Sequence, residues 1–412
     1  MPTADPPKRV AFVVPALPSF RGNGLVMRAA ATLKLLSSWA DSVHLLAVPL
    51  YPSVHSQPEP DISAMIDSWT SVPNPLPGAG DSGVQQWSIP LRGAVPSELK
   101  VCSPLWQEDI KAAISALRPD LIFAFRFYLA PFLLPSIGSS LPVWLDVDEL
   151  ESVARLRLAN LYASAKHPKE PIARMEVPAY QNLECQQLPL FQRLFAASDL
   201  ECEAVRARFS EADARVMPNV YPFDLPQKPR QTDDHARLLF VGTFGYFPNK
   251  DALQYFVSRV LPKITERSSK PVEVTVVGSG ILPTDQSSQF GLKVIGTVPD
   301  TTPYYASCDL VIVPLRAGGG TRIKILEAFS HQRAVVSTTV GAEGLAVKDG
   351  VELLIADDAD VFAEQCLRLI ENVDERARLA ERGHQFFYRH HSLRVLEERM
   401  PYLFGDESAP IG

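Results

Sequence analysis

The chain is poor in cysteine: five in 412 residues, at positions 102, 185, 202, 308 and 366. They are odd in number, far apart and without metal-ligand spacing. This excludes a disulfide scaffold or a cysteine-based zinc module and predicts reduced, mostly buried thiols. Positive charge is also short, with 40 Lys and Arg against 47 Asp and Glu and a formal net charge of −7. That balance argues against general nucleic-acid binding. The adjacent pair His390 and His391 has no carboxylate or cysteine at ligand spacing, so it is read as a solvated helix end and no metal site is expected. No uninterrupted apolar run reaches about 18 residues, which excludes a spanning helix. The stretch Met1–Arg9 lacks the apolar core of a signal peptide. Together these absences predict a cytoplasmic protein and leave peripheral contact with the inner face of a membrane open.

What is present is globular: 46% hydrophobic and 21% charged residues. The length exceeds one ordinary core, so two domains are expected. The first half alternates short apolar runs with helical patterns. Val10–Val14, Val43–Val48, Asp120–Phe125, Pro142–Asp146, Leu194–Ser198 and Ala214–Met217 read as strands. Helices are expected over Leu25–Ser38, Ile62–Trp69, Trp106–Leu117 and Ile172–Arg193. In the first of these, Met27, Arg28 and Lys34 stand among apolar residues, a pattern that suits core packing or a lipid surface equally. The proline-rich, polar stretch 221–235 reads as a linker.

The second half repeats the alternation more cleanly. Arg237–Val241, Val272–Val277, Leu292–Ile295, Leu310–Val313 and Ala334–Ser337 read as strands, and the first four run into Gly or Pro, where the chain must turn into a crossover. Helices are expected over Asn249–Arg267, Arg322–His331 and Leu393–Phe404. Such an order predicts parallel sheets flanked by helices, with ligands at the carboxyl ends of the strands. The expected domains are 1–222, a linker at 223–235, 236–390, and a C-terminal helix and tail at 391–412 packing back on the first domain.

The most informative stretch is Gly318–Glu327, with glycine at 318, 319 and 320, then Thr321, Arg322, Lys324 and Glu327. A bare glycine loop feeding a helix N-terminus offers backbone N–H groups to an anion, and two cations add to that field. Glu327 has the opposite sign and suits sugar hydroxyls. The combination points to a nucleotide sugar, with phosphates on the loop and ribose on the carboxylate.

Several segments occur in an order that resembles family 4 glycosyltransferases, the glycosyl transferases group 1. They are Val241-Gly242, Phe247–Ala252, Val277–Gly280, Ile295–Val298, Val313–Leu315, Gly318–Ala328, Val335–Thr338 and Gly341–Leu345. The resemblance covers nearly all of the second half and is looser in the first. It implies the GT-B fold, an α/β architecture of two Rossmann-like domains with parallel sheets facing across a cleft. It also implies transfer of a sugar from a nucleotide-diphosphate donor, with retention and without a metal. No cofactor is then expected beyond that donor as co-substrate. The acceptor stays open among glycans, glycolipids and small metabolites. By the same resemblance Glu327 holds the ribose, and Arg322 and Lys324 stand beside the diphosphate, one of them free to face solvent. Gly318, Gly319, Gly320 and Thr321 let the backbone approach the donor, and Gly242, Thr297 and Val298 line its binding surface. Gly22, Asn23 and Gly24 face the donor phosphate, with an ordinary turn as the alternative.

Asn249 follows Pro248 and reads first as a helix N-cap, with donor contact second. Arg126 is either an acceptor-side group or a surface arginine. Asp146, Asp148 and Glu149 are either a paired-carboxylate base, with Asp146 and Asp148 on the acceptor side, or, preferably, a helix-start cluster. Two departures stand out. Gly319 occupies the place of a glutamate that many members carry eight positions before Glu327, and Arg126 lies where a histidine is usual. These keep two rival readings alive: a sugar-nucleotide epimerase on the same fold, and a non-catalytic nucleotide-sugar-binding partner subunit.

Overall fold

The structure is a computed structural model that describes residues 7–50, 57–75, 102–137, 141–226, 234–280, 292–318 and 322–405. The chain divides into two compact units, residues 1–218 with 396–412, and residues 219–395. Each unit is a parallel sheet dressed with helices, the expected α/β architecture of two Rossmann-like domains.

In the first unit seven strands are numbered in chain order: β1 (Arg9–Val14), β2 (Ser42–Ala47), β3 (Ser68–Ser71), β4 (Leu121–Phe125), β5 (Val143–Asp148), β6 (Arg193–Ala196) and β7 (Ala214–Val216). Their spatial order is β3-β2-β1-β4-β5-β6-β7. The central strands read as continuous apolar runs because helices cover both faces, and Val10–Val14 and Leu121–Phe125 are buried throughout. The strand order reverses between β1 and β4, which run parallel, so the loops that follow those two strands open the crevice where ligands bind in such sheets.

Local chemistry sets the helix ends. Asn23 caps helix Gly24–Trp39 by accepting from the amides of Leu25 and Val26 at 3.0 and 3.3 Å, a cap that contributes about 1 kcal/mol. Ser103 and Pro104 start helix Pro104–Leu117, and Arg118 ends it in a left-handed conformation before Pro119. That helix buries Trp106, Ile110 and Ile114, one face at four-residue spacing. The segment from Leu396 onward belongs to this unit. Phe404 packs on Trp39 at 4.6 Å and Trp144 at 5.8 Å between ring centroids, and Arg193 donates to the Leu403 carbonyl at 3.0 Å.

The second unit has six strands: β8 (Ala236–Val241), β9 (Val272–Val277), β10 (Leu292–Gly296), β11 (Leu310–Val313), β12 (Ala334–Ser337) and β13 (Leu354–Ile355). Their order is β10-β9-β8-β11-β12-β13. In local numbering this is 3-2-1-4-5-6, the doubly wound dinucleotide-fold order with its switch between the first and fourth strands. The turns after β8 and β11 therefore open that crevice, and Gly318 lies in the second of them.

Some elements depart from expectation for identifiable reasons. The helix expected over 62–69 is a short turn at Pro60–Ser63 followed by β3, an edge strand exposed at all four positions and so without burial alternation. The helix expected over 172–193 spans Glu170–Gln187 and gives way at Pro189. It pairs with helix Glu151–Ser164, which shows almost no apolar stripe because it buries Glu151 and Ser152 in its first turn and Ala159, Leu161 and Tyr162 further on. There Ser152 donates from its amide and hydroxyl to Glu184 at 2.8 and 2.6 Å. The helix expected over 249–267 contains a π turn at Phe256–Val260, where Pro262 supplies no amide to the ladder. His391 is not at a solvated helix end: it is buried, with Nδ1 2.8 Å from the Asn219 carbonyl oxygen. Most of the linker stretch, residues 227–233, lies outside the described residues.

Candidate functional site

In the second unit the glycine turns at the carboxyl strand ends are packed directly on one another. Gly278, at the exit of β9, has φ +141, and a Cβ there would stand 1.7 Å from the Gly242 carbonyl oxygen. Gly280 sits just as tightly, with a would-be Cβ 2.4 Å from the Gly245 amide. The Gly278 amide donates to Gly296 at 2.8 Å, so the ends of β8, β9 and β10 are tied in a row. Thr297, exposed, and Val298 continue from that edge.

The loop after β11 is described as far as Gly318. Gly319, Gly320 and Thr321 lie outside the described residues. Gly318 adopts φ +141, and the space a side chain would take holds the Arg322 guanidinium, with Nη1 3.0 Å from the would-be Cβ. Arg322 is buried; its Nε donates to the Val340 carbonyl at 3.2 Å, and Nη2 lies 3.9 Å from Glu343.

Two residues on, Lys324 Nζ donates to Asn249 Oδ1 at 2.6 Å and lies 5.7 Å from the Phe240 ring centroid. Neither cation is a solvent-facing helix residue, contrary to the expectation for one of them. Burial lowers the Lys324 amine to a pKa of about 7, and Arg322 adds to the shift while Glu327 opposes it. Asn249 is not the N-cap: helix Phe247–Tyr255 is preceded by Tyr246, and Asn249 lies in the first turn. Its Nδ2 donates to the Thr243 carbonyl at 2.8 Å, so one side chain ties the β8 turn to Lys324.

Glu327 lies one helical turn from Lys324 on helix Ile323–Ser330. Its Oε1 accepts from the Thr301 hydroxyl at 2.5 Å and from Tyr221 OH at 3.4 Å. Burial raises its pKa, and the bond from Thr301 works against that shift. Tyr221 is held by the backbone: its amide donates to the His391 carbonyl at 3.0 Å. Thr301 and Tyr221 escape a reading by motif because each is a lone hydroxyl far from Glu327 in sequence. This edge can offer a glycine-lined backbone, two cations and an oriented carboxylate within one helix and its loop.

In the first unit Gly22 has φ +120 and Asn23 is the helix cap described above, so the turn reading is the one the geometry accounts for. Arg126 is not a surface arginine. It lies at the end of β4 with φ +79 and pairs with Asp148. Asp146 and Asp148 are not a helix-start cluster either, since both belong to β5 and the next helix begins at Glu151. Asp146 is fully buried and takes Arg28 in a two-bond fork, Nε to Oδ2 and Nη2 to Oδ1, each 2.8 Å. Arg28 also donates to the Met217 carbonyl at 2.9 Å. Burial opposes its charge and the two aspartates more than restore it. Arg28 is therefore no lipid contact. A lone arginine on an apolar helix face was the signal that a buried partner existed.

Among the described residues no group of three His, Cys, Asp or Glu is placed to hold a metal ion, and no helix is long and apolar enough to cross a membrane.

Residues 235–372 match the family described as Glycosyl transferases group 1. A curated relative, an "Uncharacterized 44.6 kDa protein in cps region" of Klebsiella pneumoniae, is 24% identical over 207 residues. That match takes in 48% of this chain and spans about half of the relative, 52%. Sucrose-phosphate synthase from Thermosynechococcus elongatus superposes with a TM-score of 0.69 at 14% identity, covering 96% of this chain and 98% of its own. Anabaena HepE, solved in complex with UDP and glucose, gives 0.62 at 13% identity over 95% and 98%. WaaG, described as a glycosyltransferase involved in lipopolysaccharide biosynthesis, gives 0.61 at 12% identity over 96% and 99%. These likenesses establish the GT-B fold.

Proposed function

We propose that this chain, whose residues 235–372 match the group 1 glycosyl transferases, moves a sugar from a nucleotide-diphosphate donor to an acceptor hydroxyl. The observation that carries the reading is the arrangement on helix Ile323–Ser330: Arg322 and Lys324 at its start, Glu327 one turn on, and the glycine loop before it at the switch point of the sheet. Glu327 Oε1 is occupied by neutral hydroxyl donors, which orient the carboxylate toward the ribose hydroxyls.

Departure of the nucleoside diphosphate builds negative charge on the β-phosphate as the glycosidic bond breaks. Lys324 in its charged form, Arg322 and the amides of the loop and helix start stabilise that charge. Electrostatic help of this kind needs no side-chain base, and the leaving phosphate oxygen takes the acceptor proton. By its resemblance to the family the transfer retains the anomeric configuration and runs without a metal. Proton NMR of the product anomer and activity in EDTA test those two points.

The complex of HepE with UDP and glucose makes UDP-glucose the first donor to try. A panel of nucleotide sugars screened by thermal shift, followed by release of nucleoside diphosphate, tests the reading. A ligand that binds the native state at one hundred times its Kd stabilises it by about 2.7 kcal/mol. Conversion of the donor sugar with no acceptor present would identify an epimerase instead. Binding without turnover across sugar acceptors would identify a nucleotide-sugar-binding partner subunit.

A further inference from the structure

Helices Glu151–Ser164 and Glu170–Gln187 form a hairpin in the first unit, joined by the turn 165–169. Buried charge fixes its root, where Glu184 accepts from Ser152 and takes Arg208 at 2.6 Å. Further along, Arg155 lies 3.7 Å from Glu151 and 3.5 Å from Glu176 and stacks 5.0 Å from the Tyr180 ring centroid. The turn is equally ordered. Lys166 takes φ +51, the His167 amide donates to the Tyr162 carbonyl at 2.8 Å, and the two rings stack at 4.5 Å between centroids.

The charges of this hairpin are sorted by depth. Its acidic residues are Glu151, Glu170, Glu176 and Glu184; none is exposed, and each is paired with an arginine. Lys166 and Lys169, both on the turn, are exposed. The whole chain carries a formal charge of −7, so a solvent face with bare lysines and no exposed carboxylate is a local exception. Beside the lysines stand Ile172 and Met175, 59% and 57% exposed, two of the three most exposed large apolar residues among the described ones. Three apart on one helix, they share a face. Pro168 and Pro171, both exposed, add apolar surface at the turn. Apolar residues scattered singly over a surface need no explanation, whereas a group of them rimmed by charge marks a contact surface.

We propose that this hairpin end docks on an anionic phospholipid bilayer, with Ile172 and Met175 at the boundary of headgroups and acyl chains and Lys166 and Lys169 on the phosphates. The combination of charge and apolar surface selects the partner. Nucleic acid offers phosphates but binds chiefly through charge and gains little from covering Ile172 and Met175. A second copy of the chain brings its own lysines against these, a like-charge contact. A bilayer presents negative charge outside and hydrocarbon beneath, and basic and apolar side chains on one helix face suit both layers. Lysine stems keep their amines among the headgroups while the apolar side chains enter. The hairpin belongs to the first unit and Glu327 to the second, and lipid docking does not depend on donor chemistry.

The test floats the full chain with vesicles of phosphatidylcholine alone and of phosphatidylcholine with phosphatidylglycerol. The expected result is saturable binding to the anionic vesicles, little to the neutral ones, and release as salt rises. A lysine near a charged bilayer contributes about fivefold to partition, so Lys166→Gln with Lys169→Gln should weaken binding roughly thirtyfold. Ile172→Gln with Met175→Gln should weaken it at least about tenfold. All four side chains are exposed, so Tm and UDP-glucose affinity are expected to stay unchanged in both variants. Absence of binding to anionic vesicles, or equal binding to both kinds, overturns the proposal. Binding that the two apolar substitutions leave intact also overturns it, as a purely electrostatic contact. Concentration-dependent dimers that dissolve in Ile172→Gln with Met175→Gln would overturn it too and make this face a contact between copies. Vesicle binding by a chain that binds no nucleotide sugar removes only the transferase reading.

Discussion

The proposed placement of Lys324 at a donor diphosphate predicts a pH dependence of binding. In the free protein its amine titrates near 7, because burial and then Arg322 disfavour the charged form. A donor diphosphate changes that balance. At an effective dielectric of about 20, one negative charge about 4 Å from Nζ contributes about 4 kcal/mol, or about 3 pKa units. The bound amine then titrates near its ordinary value of about 10. Between the two values binding takes up a proton. Affinity is therefore full below about pH 7 and falls about tenfold per pH unit as pH rises toward 10. A nucleotide sugar suits the measurement because both of its phosphates are esterified and neither titrates near neutrality. Calorimetric titration of UDP-glucose in buffers of different ionisation enthalpy reads the affinity and the proton uptake together. The expected result is uptake of close to one proton at about pH 8.5, abolished in Lys324→Met. Affinity independent of pH from about 7 to 9, or uptake that survives Lys324→Met, would refute the placement of Lys324 at the diphosphate.

Two further substitutions test the frame that holds the two edges. Arg28→Met leaves Asp146 buried without its partner, and breaking such a pair costs about 3–5 kcal/mol. Chemical denaturation should show that loss, partly recovered by the double change Arg28→Met with Asp146→Leu. Gly278→Ala places a methyl 1.7 Å from the Gly242 oxygen at φ +141, so it should lower stability by several kcal/mol, on the order of 3 or more. Gly350→Ala is the control, with φ +74 but nothing within 4 Å of the new methyl; a Tm shift no larger at position 278 would contradict the packing of those turns.

The second unit was legible in sequence because its signals are local. The strands β8 to β11 are short, mostly apolar runs that end at Gly or Pro, and in a parallel sheet those turns share one edge by topology. Gly278 shows the limit of that legibility. Its presence signals a turn, but only the register of β8 on β9 reveals that Gly242 presses against it. The Glu327 carboxylate stands out in its motif, whereas the hydroxyls that hydrogen-bond to it do not. Thr301 and Tyr221 come from 26 and 106 residues away, and single hydroxyl residues carry no spacing. In the first unit the charges hid their own role. Helix Glu151–Ser164 escapes periodicity because its first buried turn is polar, Glu151 and Ser152, and its apolar burial is confined to Ala159, Leu161 and Tyr162. Asp146 and Asp148 read as a helix start because carboxylates favour that position, when each was instead committed to an arginine.

The central claim is that Glu327 holds the ribose of a nucleotide-sugar donor, and donor affinity in Glu327→Ala tests it most directly. Hydrogen bonds to a charged carboxylate contribute about 1.5–3 kcal/mol each, so titration calorimetry with UDP-glucose should show binding weakened at least about tenfold, with the Tm of the free protein little changed. Equal affinity in Glu327→Ala and the unsubstituted protein would contradict the account.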